Sequence, residues 1–505
     1  MTTVADKKAK TTTGGKAEFH DVLIVGAGLS GIDAAYRIHE LNPDLDYALI
    51  ERRERTGGTW DLFRYPGIRS DSDIFTFSLP FNPWTGNTSI GQGEDIRNYI
   101  WDTARKFGID KKIQFETQVT SANFDSATDI WTVETISGGK PKTFETRFLF
   151  MCTGYYSYDE GYTPEFPGIE DFQGQVVHPQ FWPEDLDYKG KKVVVIGSGA
   201  TAITLIPSMA DDVEHITMLQ RSPTYITSLP NKDPIALATR KVLPPNLAHN
   251  VTRWRWATQT LGSYLFMRKA PKAGRALIRR MTKAMLPADY PVDVHFKPKY
   301  APWDQRLCVV PNGDLFKAIR NGQAEVVTDT IDRVTATGIK LTSGRELEAD
   351  IIITATGLQM QALGGTEIAV DGSPVKISDH YLYRGYMLDG VPNMAWTIGY
   401  INASWTLKAD ITSQHVARLL KHMGDNGYTH AEADRAGEIL AEKPAMELSS
   451  GYVQRAADQL PKSGSSMPWM VRHNFLLDYY DFRRASVTQS MKFSKVADAK
   501  EKVAG

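Results

Sequence analysis

Two short glycine-rich turns, each entered from an apolar run and left into a helical pattern, constrain this chain more than any other feature. The first stands in "DVLIVGAGLSGIDAAYRIHEL" and the second in "KKVVVIGSGATAITLIPSMA". In each, an apolar run breaks at a glycine and apolar positions then recur at helical spacing. A second apolar run, "YALIE" or "HITMLQR", closes the unit. Strand, tight turn, helix and strand make one βαβ crossover. Gly26 and Gly197 open the two turns 171 residues apart, which reads as two nucleotide sites and not as a repeat array. The expected fold class is α/β with two dinucleotide-binding, Rossmann-like domains.

The turns differ where the ligand would be read. Gly26, Gly28 and Gly31 keep the dinucleotide spacing, and Glu51 ends the next strand 25 residues after the first of them. A carboxylate there can accept both ribose hydroxyls of an adenosine that lacks a 2′-phosphate, which suits FAD. The second unit keeps Gly197 and Gly199, with Ala202 third, and its strand ends in Gln220-Arg221-Ser222. A carboxylate would repel a 2′-phosphate, whereas Arg221 and Ser222 can bind one by charge-assisted hydrogen bonds, so NADPH is the expected second cofactor. The alternative is that Arg221 caps a solvated turn.

"RFLFMCTGYY" and "ADIIITATGLQ" both read as strands that close in Thr-Gly, at Thr153-Gly154 and Thr356-Gly357. Such paired strand ends imply that the NADPH domain is inserted in the FAD domain. The expected division is a disordered leader over 1–19, an FAD-binding domain over 20–155 and 346–485, an NADPH-binding domain over 156–230 and 301–345, a helical subdomain over 231–300, and a flexible tail over 486–505. No run of eighteen apolar residues occurs, so no membrane-spanning helix is expected. The two cysteines, Cys152 and Cys308, exclude a disulfide framework and a CxxC redox pair, and they fit a reducing cytoplasm. No metal site is expected.

A net charge of -1 gives no overall pull toward nucleic acid, yet 240–283 holds eleven Lys or Arg and no Asp or Glu. Trp254, Trp256, Tyr264 and Phe266 are interleaved with these cations. Two readings stand: a solvated basic face partly turned to NADPH phosphates, or peripheral contact with a membrane. Nucleic-acid binding is not expected, because no recognition motif accompanies the charge.

Beyond the first βαβ unit, "GGTWDLFRYPGIRSDSD" offers Gly57 and Gly58 as a turn near the pyrophosphate, and Trp60, Tyr65 and Pro66 as a stiff apolar wall at the cofactor with Arg69 and Asp71 as its polar groups. Between the two nucleotide units, "FQGQVVHPQFWPED" spaces Phe172, Gly174, His178 and Trp182. These segments match the [AG]GxWxxxx[FY]P[GM]xxxD and FxGxxxHxxxW signatures, and over roughly 20–480 the chain resembles the type I Baeyer–Villiger monooxygenases. With "NPWTG", "GYYSYDEGY" and "PWDQRLCVVPNGDLF" it resembles their ethionamide-activating branch.

The resemblance implies an oxidoreductase in which NADPH reduces FAD, dioxygen is activated on the flavin, and one oxygen atom enters beside a ketone carbonyl. It implies Arg306, in "WDQRLC", as the cation beside the activated oxygen, with Asp71 as its support; a structural ion pair is the alternative. It also implies that Phe172, Gly174, His178 and Trp182 couple the two cofactor domains. His178 then organises the hinge, unless it is an ordinary satisfied histidine. Pro179 stands where relatives often carry Thr, and Gln305 where many carry Lys. Asn402 and Trp405, near a helix beginning at about Ser404, would border the substrate, with plain packing as the alternative. Sulfide oxygenation is the expected second activity. The rival readings are a flavin monooxygenase acting mainly on nitrogen or sulfur, and a non-catalytic FAD- and NADPH-binding sensor or membrane-docking protein. The sensor reading leaves Arg306 and Asp71 without a task.

Overall fold

Strand β1 (Glu18–Val25) ends in four buried residues, the apolar run expected of a parallel strand covered on both faces. It pairs in parallel with β2 (Tyr47–Ile50) and β6 (Lys140–Met151), and α1 (Leu29–Leu41) makes the crossover to β2. With β3 (Ile113–Gln114), β4 (Thr117–Asp125), β5 (Ile130–Ser137) and the strands Glu367–Val370, Ser373–Pro374 and Met394–Trp396, they form a nine-stranded sheet. β4, β5 and β6 pair antiparallel. The late strand Met394–Trp396 lies parallel to the end of β6. The computed structural model describes residues 16–446 and 448–496.

After β6 the chain runs through β7 (Tyr156–Gly161) into a second sheet that is parallel throughout. Its members are β8 (Gln175–Val177), β9 (Lys192–Ile196), β10 (His215–Gln220), and the strands Ala324–Thr328 and Ile351–Thr354. Their spatial order is Ala324–Thr328, β10, β9, Ile351–Thr354, β8. The return path, Leu358–Met360, pairs antiparallel with β7, so the outgoing and incoming chains lie side by side as a two-stranded ribbon.

The two sheets share a device at each strand end. Gly26 has φ +105°, and a β-carbon on it would lie 2.6 Å from the Cys152 carbonyl oxygen at the end of β6. Gly197 has φ +135°, and a β-carbon there would lie 2.3 Å from the Ala355 carbonyl oxygen, just past Ile351–Thr354. Each fingerprint glycine is thus pressed onto the strand that precedes a Thr-Gly turn, and only a glycine permits both the angle and the approach.

Three of the expected boundaries need correction. The strand Ile351–Thr354 pairs with β9 and β8, so the second segment of the first sheet cannot begin at 346; the chain rejoins that sheet at Glu367–Val370. An isolated apolar run looks alike in either sheet, and only its partners assign it. At the amino end, Glu18 and Phe19 pair with Phe144 and Glu145, inside the expected leader; residues 1–15 lie outside the described residues. At the carboxyl end, Met491–Ser494 forms a strand against His430–Ala433, with Phe493 packed on Tyr428 and His422, so the expected flexible tail holds a pinned strand. Residues 497–505 of that tail lie outside the described residues.

The segment 231–300 is helical. α2 (Thr59–Leu62), α3 (Ile74–Phe77), α4 (Gly93–Lys106) and α5 (Ala200–Met209) precede it, and α6 (Pro234–Val242), α7 (Pro245–Lys269) and α8 (Pro271–Met285) build it. α7 is tied to α3 by buried Arg253, whose Nη1 donates to the carbonyls of Phe75, Thr76 and Ser78 at 2.6–3.1 Å. Those carbonyls sit at a helix end with few partners of their own, so one guanidinium satisfies three of them. Among the described residues no helix is long and apolar enough to cross a membrane.

Candidate active site

A cavity of about 320 Å³ lies where the two sheets meet. The first fingerprint turn lines it through Gly26 and Gly28, and Glu51 joins them from the end of β2. Gly28 caps α1 without a side-chain bond, so the first N–H groups of that 13-residue helix remain available to an anion. Gly31 packs α1 against the turn: a β-carbon there would meet the Gly26 carbonyl oxygen at 1.9 Å. Glu51 is buried, and its carboxylate accepts from the N–H of Ala27 at 2.9 Å and of Arg53 at 3.0 Å. Burial pushes its carboxyl above the ordinary range, opposed by those two N–H groups.

Gly58 faces Gly28 across the cavity, the two backbones close enough that a β-carbon on Gly58 would stand 3.3 Å from the Gly28 Cα. This cradle without side chains, the free α1 amino end and the Glu51 carboxylate fit a flavin dinucleotide's pyrophosphate and ribose. Trp60 lines the cavity and packs edge-on to Phe77 at 5.5 Å. The rest of the "RYPG" segment turns to the second sheet: Tyr65 is buried in its core, and Arg69 pairs with Asp314 at 2.5 Å. Both side chains nevertheless line the cavity, so this segment joins the site to the second sheet.

The second fingerprint reaches the same cavity from the opposite sheet. Ala200 and Thr201, the first turn of α5, line it, and α5 too has no side-chain cap. Gly199 has open space above its Cα, and Ala202 is buried in the second core. Arg221 and Ser222 are exposed at the end of β10, where the 2′-phosphate contact was expected.

Arg306 and Asp71 come together. Arg306 Nη1 lies 3.3 Å from Asp71 Oδ2, both face the cavity, and each side chain keeps a little over a third of its surface exposed. The Asp71 carboxylate holds the guanidinium's pKa above its ordinary value, so Arg306 stays charged at any working pH. Tyr155 and Tyr156 line the cavity and act electrostatically on Arg306, and the Tyr156 hydroxyl donates to that of Tyr155 at 2.9 Å. Burial raises Tyr156 well above an ordinary phenol. Trp405 stacks on Tyr155 with ring centres 5.0 Å apart, and its Nε1 donates to Ser30 Oγ. It opens the helix Trp405–Asn426, which begins next to Ser404 as expected, although the Ser404 side chain makes no capping bond. Asn402 differs: it is buried, donates to the His473 carbonyl at 2.8 Å, and is not among the lining residues.

The Phe172–Trp182 segment clasps the crossing ribbon. Gly174 lies under Phe172 and the Asp350 carbonyl, with a β-carbon position 2.6 and 2.2 Å from them. The His178 ring accepts at Nδ1 from Gln180 N–H at 3.2 Å, which makes Nε2 the donor toward the Gly357 carbonyl at 3.3 Å. Burial pulls this imidazole below its ordinary pKa, against the carbonyls it faces, so it is neutral. Gly161, the last residue of β7, abuts the ring so closely that a β-carbon would fall 2.1 Å from Cε1. Gln180 Nε2 donates to the Ser157 carbonyl of β7 at 2.9 Å, and Trp182 packs edge-on to Tyr188 in the second core.

Sequence reasoning missed Gln180, Gly161 and the Tyr155–Tyr156 pair as parts of this arrangement. "GYY" stands in the resemblance motif, yet nothing local marks either hydroxyl. Cys152 and Cys308 are buried, free thiols, the second pushed up to about 12 by burial.

Known proteins bear the same stamp. The NAD(P)-binding Rossmann-like domain family matches residues 24–87, and the Flavin-binding monooxygenase-like family matches residues 85–255. The FAD-containing monooxygenase EthA of Mycobacterium tuberculosis is 52% identical over 480 residues, covering 95% of this chain and 98% of that protein. Among solved structures, an oxidized steroid monooxygenase bound to NADP superposes with a TM-score of 0.74 at 24% identity, over 94% of this chain and all of that one. An open crystal structure of cyclohexanone monooxygenase superposes equally well, at 20% identity over 95% of this chain and all of that one. With more than half of the aligned positions identical along nearly its whole length, the chain belongs to the FAD-containing monooxygenase family.

Proposed function

We propose that this enzyme is an NADPH-dependent Baeyer–Villiger monooxygenase: a ketone, dioxygen, NADPH and a proton give an ester or lactone, water and NADP⁺. The observation that carries the reading is the Arg306–Asp71 pair, set in the cavity onto which the α1 and α5 amino ends both open. Bound FAD, once reduced by NADPH, supplies the activated oxygen.

The chain's own residues supply position and charge. The α1 amino end and Gly28 take the pyrophosphate, and Glu51 the adenosine ribose. Gly197 and Gly199 bring the nicotinamide dinucleotide to the α5 amino end, and Arg221 with Ser222 receives its 2′-phosphate. Arg306 stabilises the negative charge that develops on the carbonyl oxygen as the oxygen donor adds to the carbonyl carbon, and Asp71 keeps the guanidinium charged and aimed. The His178 and Gln180 bonds to the ribbon keep the two sheets in register while nicotinamide and substrate take turns at one face. Trp405 and Tyr155 wall the substrate space.

Thioethers and thioamides are a second substrate class. Sulfur attacks only a protonated oxygen donor, and the Tyr155–Tyr156 hydroxyls beside Arg306 offer an O–H there. Ester formation should therefore rise, and sulfoxide formation fall, as pH increases.

The test supplies a ketone, NADPH and oxygen-18 gas and analyses the product by mass spectrometry. One labelled atom in an ester, with equimolar NADPH oxidation, is the expected result. Oxidation of a sulfide or amine with the ketone untouched would assign the enzyme to heteroatom chemistry. NADPH binding without oxidation would leave the sensor reading.

A further inference from the structure

The acid-free segment 240–283 is not absorbed by the chemistry above, and its burial pattern is unusual. On α8, Gly274, Ile278 and Thr282 are buried, a stripe at helical spacing that packs the helix down. A second apolar stripe, Ala273, Leu277, Met281 and Ala284, faces solvent instead. Leu277 is 45% exposed and Met281 36%, and in the last turns of α7 Leu265 and Phe266 are 37% and 44% exposed. Lys269, Lys272, Arg280 and Lys283 are exposed among them, and none forms an ion pair among the described residues. Other cations of the segment are used internally: Arg268 with Asp304, Arg279 with Asp293, Arg255 with Asp233.

The inner side of the same hairpin holds the loop that carries Arg306. Met267 and Ile278 cluster with Tyr225, Tyr300, Trp303 and Leu307; Tyr264 packs edge-on to Trp303 at 5.4 Å; and Arg268 reaches Asp304 at 2.7 Å.

We propose that the α7–α8 hairpin docks on an anionic lipid bilayer and that the enzyme draws apolar substrates from it. Large apolar side chains left in water between cations, with no acid in 44 successive residues, complement a surface that is negative outside and apolar a few ångströms in. A polar acidic protein face would satisfy the cations and leave Phe266, Leu277 and Met281 unburied. The docking half stands on the surface alone; the substrate half rests on the monooxygenase reading.

Flotation of the FAD-loaded enzyme with vesicles tests the first half. It should rise with phosphatidylglycerol–phosphatidylcholine vesicles, remain below with pure phosphatidylcholine, and be released by high salt. Each cation at the surface contributes a factor of about five, so K269E/K272E/R280E should lower partitioning at least about 100-fold. L277S/M281S should weaken binding at low salt while leaving its salt dependence unchanged, and L277S alone serves if the pair unfolds. No flotation of the wild type overturns the proposal. So does flotation unchanged by all three variants, or variants that alter only self-association in sedimentation. For the second half, the variants should convert a short water-soluble ketone normally and lose rate only on a long-chain ketone held in vesicles. Equal rates on both ketones overturn it. If no ketone is converted at all, the monooxygenase reading fails while flotation still decides docking.

Discussion

Replacing Arg306 by alanine separates oxygen transfer from every earlier step. The side chain meets Asp71 at 3.3 Å through one nitrogen, which leaves the rest of the guanidinium fork to the cavity. A unit charge about 4 Å away interacts with it by roughly 4 kcal/mol at an effective dielectric near 20. Because over a third of the side chain is exposed, screening reduces this to roughly 2–3 kcal/mol, or about 30- to 150-fold in the rate of ester formation. Flavin reduction by NADPH, for which the proposed contacts are the α5 end and Arg221, should change little. Anaerobic stopped-flow at the flavin absorbance reads the reduction, and product analysis of aerobic reactions reads the ester. Arg306→Lys keeps a charge without the fork and should recover part of the loss. A fall in reduction rate equal to the fall in ester, or an ester rate within about threefold of wild type, would refute the reasoning.

Arg221→Ala should raise KM for NADPH about tenfold and leave KM for NADH nearly unchanged, the value of one charged hydrogen bond; equal effects would remove the phosphate contact. Gly161→Ala drives a methyl into the His178 ring and should cost about 1–3 kcal/mol by thermal unfolding; in a His178→Ala background the cost should nearly vanish, and a persisting cost would place the strain elsewhere. His430 is raised to about 9, because Asp129 and Glu432 outweigh the opposing effect of burial. Its contribution is full below about pH 6.5, the unfolded value, and is lost as pH rises through about 9, so melting temperature should decline over that window and His430→Gln should flatten the decline.

What the sequence disclosed follows from how local each feature is. Both fingerprints are legible because the backbone angle and close approach demanded at Gly26 and Gly197 leave no other residue type. Glu51 and the Trp405–Asn426 helix are legible for a similar reason: each is fixed by a short stretch of chain. The assignment of Ile351–Thr354 to the wrong sheet shows the limit, since its neighbours β8 and β9 are chosen by packing far along the chain. Met491–Ser494 offers only four residues in a polar stretch, too few for alternation to stand out. Arg306 and Asp71 were paired through the resemblance; no spacing rule joins two residues so distant. Asn402 shows the reverse error, where proximity to a helix start suggested the cavity and its amide instead supports His473.

The outgoing strand β7 and the returning strand Leu358–Met360 lie against each other, so the parallel sheet leaves and re-enters the larger one through a single doorway. Cutting at Tyr162 and Gly357, which face each other through the hydrogen bond from the Tyr162 N–H to the Gly357 carbonyl, would lift out the nicotinamide half as a cassette with its two ends already adjacent. A relative's half with a different coenzyme preference can then be exchanged into this frame while β1 to β6, Asp71 and the late helix stay untouched. The graft must bring its own arginine and its own histidine clasp, because both travel with the piece removed.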